Sequence, residues 1–339
     1  MISNLKIALY LFPFFCFSQT FSGRVIDKET NKPVETVAVY FDNTTIGTTT
    51  NAAGEFTITY TSAVQSTLVI SYLGYEKVFI NDYRSRNIIE VGLVAATNTL
   101  DEVYINYDDG LTRKQKLKLF RREFLGTSEF ASSCKILNED ALVLRYNKQT
   151  MSLYASSKVP LVVKNKAFQY EVDFEIIDFE LNYKYVDVEL GIFNLQSVVY
   201  TGTSFFKNLK KSNKKKARKN RAIAYKGSVR HFMRSLYNKN LLDQGYWIFY
   251  DKFRINEWSY FSVEDLPNSD LKKVKLKTKV SILYNKDLQS ELQLEVDEFI
   301  VDFYGNYTPI VGVYFSGNMG SQRVGDTLPS DYGLTLITN

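Results

Sequence analysis

Histidine is almost missing from this chain: His231 is the only one in 339 residues. That excludes metal sites built on histidine clusters, both the two-histidine, one-glutamate zinc sites and the helical pair of histidines four residues apart. Cysteine is nearly as scarce, with Cys16 and Cys134 alone. No P-loop and no Gly-x-Gly-x-x-Gly fingerprint occurs, so nucleotide binding has no support. Beyond residue 17 no apolar run approaches 18 residues, which argues against a transmembrane helix. Acidic residues are absent from the whole of 201–240. Aromatic residues are plentiful, with 24 Tyr and 24 Phe in a chain that is 45% hydrophobic, so cores can be held by burial without disulfides.

The N-terminus reads as an export signal. Lys6 precedes an apolar stretch over 7–17 of h-region length, too short to span a bilayer. Cys16 and Ser18 place small residues where signal peptidase reads, which predicts a signal peptide over 1–18, cut between Ser18 and Gln19. A lipid anchor on Cys16 is the competing reading, but Phe15 stands where such signals need a small residue. Cleavage leaves Cys134 as the one thiol and enough chain for two domains.

Behind the signal, short strands and turns follow one another. Val37, Val39 and Phe41 alternate with Ala38, Tyr40 and Asp42; 51–54 is a turn; 68–73 is a continuous apolar run ending in Gly74. Gly54 is expected to supply a positive φ, and Gly74 a bulge or a close backbone approach. The run Phe21-Ser22-Gly23-Arg24-Val25-Ile26-Asp27, then Pro33-Val34, Gly47-Thr48, Gly54-Glu55-Phe56, Ser71-Tyr72-Leu73-Gly74-Tyr75 and Leu100-Asp101-Glu102-Val103, resembles the carboxypeptidase-regulatory-like (transthyretin-like) domain of exported proteins of the Bacteroidetes type. The resemblance implies a β-sandwich that serves as a structural or docking unit. Leu100-Asp101-Glu102-Val103 also resembles the sequence joining this module to TonB-dependent receptors, but a barrel of about 22 strands of about 10 residues would consume all that follows.

Residues 111–125 predict a helix with Thr112 as N-cap and Gly126 as C-cap. Further on, Glu171, Asp173 and Glu175 alternate with Val172, Phe174 and Ile176, which puts carboxylates on one strand face. Such a row could serve a general acid/base or Ca²⁺ role, but a solvated sheet face is the preferred reading, because same-face side chains project in parallel.

The stretch 201–240 holds 13 of the 42 Lys and Arg residues, leaving 29 against 37 Asp and Glu elsewhere. Ala222, Tyr225, Val229, Phe232, Met233, Leu236 and Tyr237 recur at helical spacing, predicting a helix over about 217–237 with Arg230 and Arg234 outside the apolar stripe and His231 nearly opposite its centre. Lys214, Lys215, Lys216, Arg218, Lys219, Arg221, Arg230 and Arg234 form the candidate surface for an acidic envelope partner, whether protein, lipid headgroup or glycan. A plain solvated charge run is the alternative. Nucleic acid is disfavoured, since export removes the chain from it and no binding motif is found.

No catalytic, cofactor-binding or metal residue is assigned. A Cys134–His231 dyad needs only spatial adjacency, but Cys134 precedes Lys135-Ile136-Leu137 and reads as a small buried hydrophobe. Ser132 and Lys135 have Ser-x-x-Lys spacing without its companion elements. Segments 124–128, 134–138, 200–202, 218–221, 227–236 and 320–329 resemble an uncharacterised region that follows the regulatory-like module in exported proteins and carries no activity with it. The expected architecture is mostly β with some α: a sandwich over 19–106, a helical linker over 107–126, and a larger β-rich domain over 127–339 carrying the basic helix. The expected role is a non-enzymatic protein of the periplasm or outer-membrane periphery that docks or scaffolds. The alternative is an envelope hydrolase using carboxylates such as Glu171 and Asp173.

Overall fold

The computed structural model describes residues 18–61, 66–85, 88–96, 110–209, 214–267 and 269–333. Residues 1–17 of the signal expected over 1–18, Cys16 among them, and the motif at 100–103 lie outside the described residues.

The first unit is built from β1 (Ser18–Asp27), β2 (Ala38–Phe41), β3 (Gly47–Thr49), β4 (Glu55–Thr61), β5 (Leu68–Ser71), β6 (Val78–Ile80) and β7 (Ile88–Leu93). Two sheets, ordered β4-β1-β7 and β3-β2-β5-β6, enclose Phe21, Val25, Val39, Phe41, Phe56, Leu68, Ile70 and Leu93. This is the expected sandwich. At its first tight turn the Asn51 side chain accepts from the amides of Ala53 and Glu55, and Gly54 takes φ +74°. A Cβ on Gly54 would also strike the carbonyl of Val25, so sign and space both select glycine. Gly74 differs from expectation. It has φ +84° but open space around it, so only the backbone sign matters there.

The second unit opens with α1 (Arg113–Leu125), capped as the sequence predicts: Thr112 and Gln115 form a reciprocal capping box, and Gly126 ends the helix at φ +97°. Its buried residues Leu119, Phe120, Phe124 and Leu125 enter the second core, so α1 is a packed element with its basic residues turned outward. Then come α2 (Glu129–Ser132), β8 (Cys134–Ile136), β9 (Leu142–Asn147), β10 (Ser152–Ser157), β11 (Leu161–Asn165), β12 (Tyr170–Asp187) and β13 (Ile192–Asn208). The sheet order is β8-β11-β12-β10-β9, with β13 along the other edge of β12.

Next stand α3 (Lys214–Tyr225) and α4 (Val229–Tyr237). The single helix expected over 217–237 is broken. Gly227 turns the chain at φ +76°, and Ser228 caps α4 by accepting from the amide of His231. Phe232, Met233 and Leu236 of α4 then join a third core formed by two further sheets. These contain β14 (Tyr246–Tyr250), β15 (Phe253–Arg254), β16 (Phe261–Asp265), β17 (Leu271–Leu276), β18 (Val280–Tyr284), β19 (Leu288–Leu294), β20 (Phe299–Asp302), β21 (Tyr307–Thr308) and β22 (Val313–Ser316). Their orders are β15-β14-β18-β19-β22 and β16-β17-β20-β21.

The sandwich is docked on the edge of β13. The amide of Asn43 donates to the carbonyl of Ser204 at 2.7 Å and the amide of Phe206 donates to that of Thr44 at 2.9 Å, a short parallel pairing that covers part of the sheet edge. Tyr40 lies over Phe205 at 5.1 Å between ring centroids and shares a hydrogen bond with Thr203 at 3.2 Å. Tyr40 alternates in sequence with Val39 and Phe41, which face the sandwich core. It is buried because its outward face meets the second sheet. The C-terminal segment closes the junction, with the amide of Ser330 donating to the carbonyl of Asn43 at 2.6 Å and Thr45 bonding Asp331 through its amide and its hydroxyl.

Candidate functional site

The helix α3 has two faces of opposite character. Ala217, Asn220, Arg221 and Ala224 recur at helical spacing and dock it: Asn220 donates to the carbonyl of Ala167 at 3.0 Å and Arg221 to that of Phe168 at 2.8 Å. The Arg221 guanidinium also lies 3.7 Å from the centre of the Tyr170 ring. Its partners are therefore part of the fold, and Arg221 does not stand on the free surface. Lys214, Lys215, Lys216, Arg218 and Lys219 are exposed. α3 contains no acidic residue, and its lysines crowd the first turn, where the helix dipole is itself positive. Electrostatics thus disfavours these charges where they sit.

Arg230 and Arg234 depart further from the expected surface. Arg234 donates to the carbonyls of Tyr304 at 2.9 Å, Ser330 at 2.9 Å and Tyr332 at 3.0 Å, which makes it a clamp on the C-terminal segment. Arg230 is partly buried with its Nη1 sealed from solvent, and desolvation together with the nearby Arg234 charge pushes the guanidinium down to about 10. They left the surface because α4 packs between the third core and the C-terminal segment, so residues outside the apolar stripe are covered as well.

His231 is buried too, where the stripe had put it opposite the core. Its Nδ1 accepts from the amide of Gly227 at 3.2 Å and faces the Tyr246 hydroxyl at 2.9 Å. A backbone amide can only donate, so Nδ1 carries no proton, and Nε2 donates to Gln244 Oε1 at 3.2 Å. With both nitrogens engaged, His231 is a structural group. Cys134 lies in the second core and His231 against the third, so the structure does not bring them together. Burial pushes the Cys134 thiol up to about 12.

The carboxylate row is not a simple solvated face. Glu175 is buried and paired with Lys77 of the sandwich, and Asp173 is paired with Lys207 across the β12/β13 ladder. Only the Glu171 end, opposite Lys164 and Lys207 in the register, fits the expected solvated strand. The row became partly interfacial because the sandwich covers the Glu175 end of the row. Among the described residues no three His, Cys, Asp or Glu side chains gather in a way that could hold a metal ion.

A cavity of about 280 Å³ lies where all three parts of the chain meet. Asn43 comes from the sandwich, Tyr225 from α3, Ser228 to Arg230 from the start of α4, Asn306 and Tyr307 from the third core, and Asp326 to Leu328 from the C-terminal segment. Burial holds the Asp326 carboxyl above its ordinary range, while Ser128 donates to it from its hydroxyl and Arg323 from its amide. This grouping had no signal in the sequence beyond the spacing of Arg230 and Arg234, because its members lie up to 285 positions apart.

Residues 21–105 match the CarboxypepD_reg-like domain family, a non-catalytic domain type that is typical of exported proteins. No curated protein matches the chain. No helix among the described residues is long and apolar enough to cross a membrane.

Proposed function

We propose that this protein is an exported, non-enzymatic docking protein of the cell envelope, in which the regulatory-like sandwich is a scaffolding unit and the exposed side of α3 engages an anionic partner. The reading rests on one observation. Lys214, Lys215 and Lys216 are exposed in the first turn of α3, at the unfavourable end of its dipole, with Arg218 and Lys219 exposed just beyond, in a helix without an acidic residue. Positive charges at this end of a dipole cost folding stability and gain from an anionic surface brought against them. Lipid headgroup phosphate and acidic glycan both supply that chemistry.

Replacing these five residues with Gln tests it. Retention of the purified chain on vesicles containing phosphatidylglycerol, and on an immobilised acidic polysaccharide, should fall at least tenfold on whichever surface is the partner. Added salt should act like the substitutions, because exposed charges are screened over about 8 Å at physiological ionic strength. Equal retention of parent and variant at low salt, or no retention of the parent on either surface, refutes the reading.

A further inference from the structure

The Arg230 guanidinium is partly buried and has no partner among the described residues. Its Nη1 is sealed from solvent and has no hydrogen bond, and the side chain forms no ion pair among the described residues. Two nearby carboxylates are committed elsewhere: Asp302 accepts from the amides of Tyr304 and Asn306 at 2.8 and 2.9 Å, and Asp331 accepts from Thr45. They lower the cost of the charge at a distance and satisfy none of its N–H groups. A guanidinium brings five donors in a fixed fork, and a buried cation left unsatisfied is among the costliest features a fold can keep.

Arg230 lines the 280 Å³ cavity together with Ser228 and Val229. This is the first turn of α4, a nine-residue helix whose cap hydroxyl is used by the His231 amide. The amides of Val229 and Arg230 have no partner among the described residues, and the dipole makes this end positive. Two independent features, a partly buried guanidinium whose sealed Nη1 has no partner and a helix start, thus adjoin one cavity. Tyr225, Tyr307 and Leu328 give the same cavity an apolar wall.

We propose that this cavity binds a small organic monocarboxylate, with its carboxylate against Arg230 and the first turn of α4 and its body against Tyr225, Tyr307 and Leu328. A single negative charge fits better than a phosphate dianion, because Asp326 stands in the wall and Asp302 and Asp331 lie close behind Arg230. The site is separate from the exposed side of α3 and does not depend on the docking role.

The test uses the purified full chain. Its thermal midpoint is measured in acetate, benzoate or glucuronate and compared with chloride and phosphate at equal ionic strength and pH. At least one carboxylate should raise the midpoint by roughly 3 °C or more, with chloride and phosphate inert. Arg230→Met should keep or raise the midpoint without ligand and abolish the carboxylate-dependent rise. Saturation-transfer NMR of the parent with the same three carboxylates reads binding without a variant. The proposal is overturned if none of the three binds by either measurement, if phosphate alone stabilises, or if Arg230→Met still responds. A sharp loss of midpoint in ligand-free Arg230→Met also overturns it, by showing that the guanidinium is satisfied within the fold.

Discussion

Arg234 donates from Nη2 to the carbonyl of Ser330 at 2.9 Å, and Ser330 in turn donates from its amide to Asn43 of the sandwich at 2.6 Å. One residue of the C-terminal segment thus ties α4 to the N-terminal unit. Arg234→Met removes three charged hydrogen bonds to carbonyls at once and should destabilise the chain by on the order of 3 kcal/mol. Urea unfolding measures the loss, and limited proteolysis should show new cleavage within 326–333. An unchanged midpoint and cleavage pattern would show that the segment is held without its clamp.

The seat of the sandwich should be sensitive to small steric changes. Gly47 has no room for a methyl group, because a Cβ there would lie 2.5 Å from the Phe205 ring. Gly47→Ala and Phe205→Ala should each loosen the junction, the second by roughly 2–4 kcal/mol. Differential scanning calorimetry is expected to split one unfolding transition of the parent into two. A single transition in both variants counts against an energetically coupled interface.

The exposed lysines of α3 predict a gain and a loss in the same variant. Lys214→Glu with Lys215→Glu puts negative charge at the positive end of the dipole, so stability should rise by about 0.3–1 kcal/mol per residue while retention on an anionic surface falls. Chemical denaturation and vesicle sedimentation check the two effects separately. A destabilised double variant would mean that these lysines carry structural contacts.

His231 sets a pH dependence whose sign follows from its surroundings. Burial presses the imidazole below its ordinary 6.5; the bond to Gln244 opposes this more weakly, and the Arg234 and Lys226 charges, weaker again, add to the downward push. As pH falls the unfolded chain takes up this proton first, so the contribution is complete above 6.5 and is lost as pH drops from there through the folded value. ¹⁵N NMR of labelled histidine should show a neutral ring with the proton on Nε2 at pH 6.5. A ring already cationic at that pH would contradict the buried, doubly engaged geometry.

Cys134 should resist alkylation. With its thiol pushed up to about 12, iodoacetamide at pH 8 ought to modify it orders of magnitude more slowly in the folded chain than in urea. Comparable rates would place the thiol in a wetter and more polar setting.

Local chemistry made part of this protein legible. The strand at Val39, the turn at Asn51 and Gly54, the caps Thr112 and Gly126, and the strand character of 170–176 all follow from contacts within a few residues, and the structure contains each of them. The break at Gly227 was equally local, a glycine followed by a serine cap, but the apolar stripe continues across it and suggested one helix. Tertiary structure decided what no local pattern records. Tyr40 meets Thr203, Asn43 meets Ser330, Glu175 meets Lys77, and Arg230 shares a cavity with Asn306 and Asp326. Period and turn chemistry say which side of an element is apolar. They do not say that a second unit will cover the other side, and it was this covering that buried Tyr40 and Glu175 and drew Arg230 partly out of solvent.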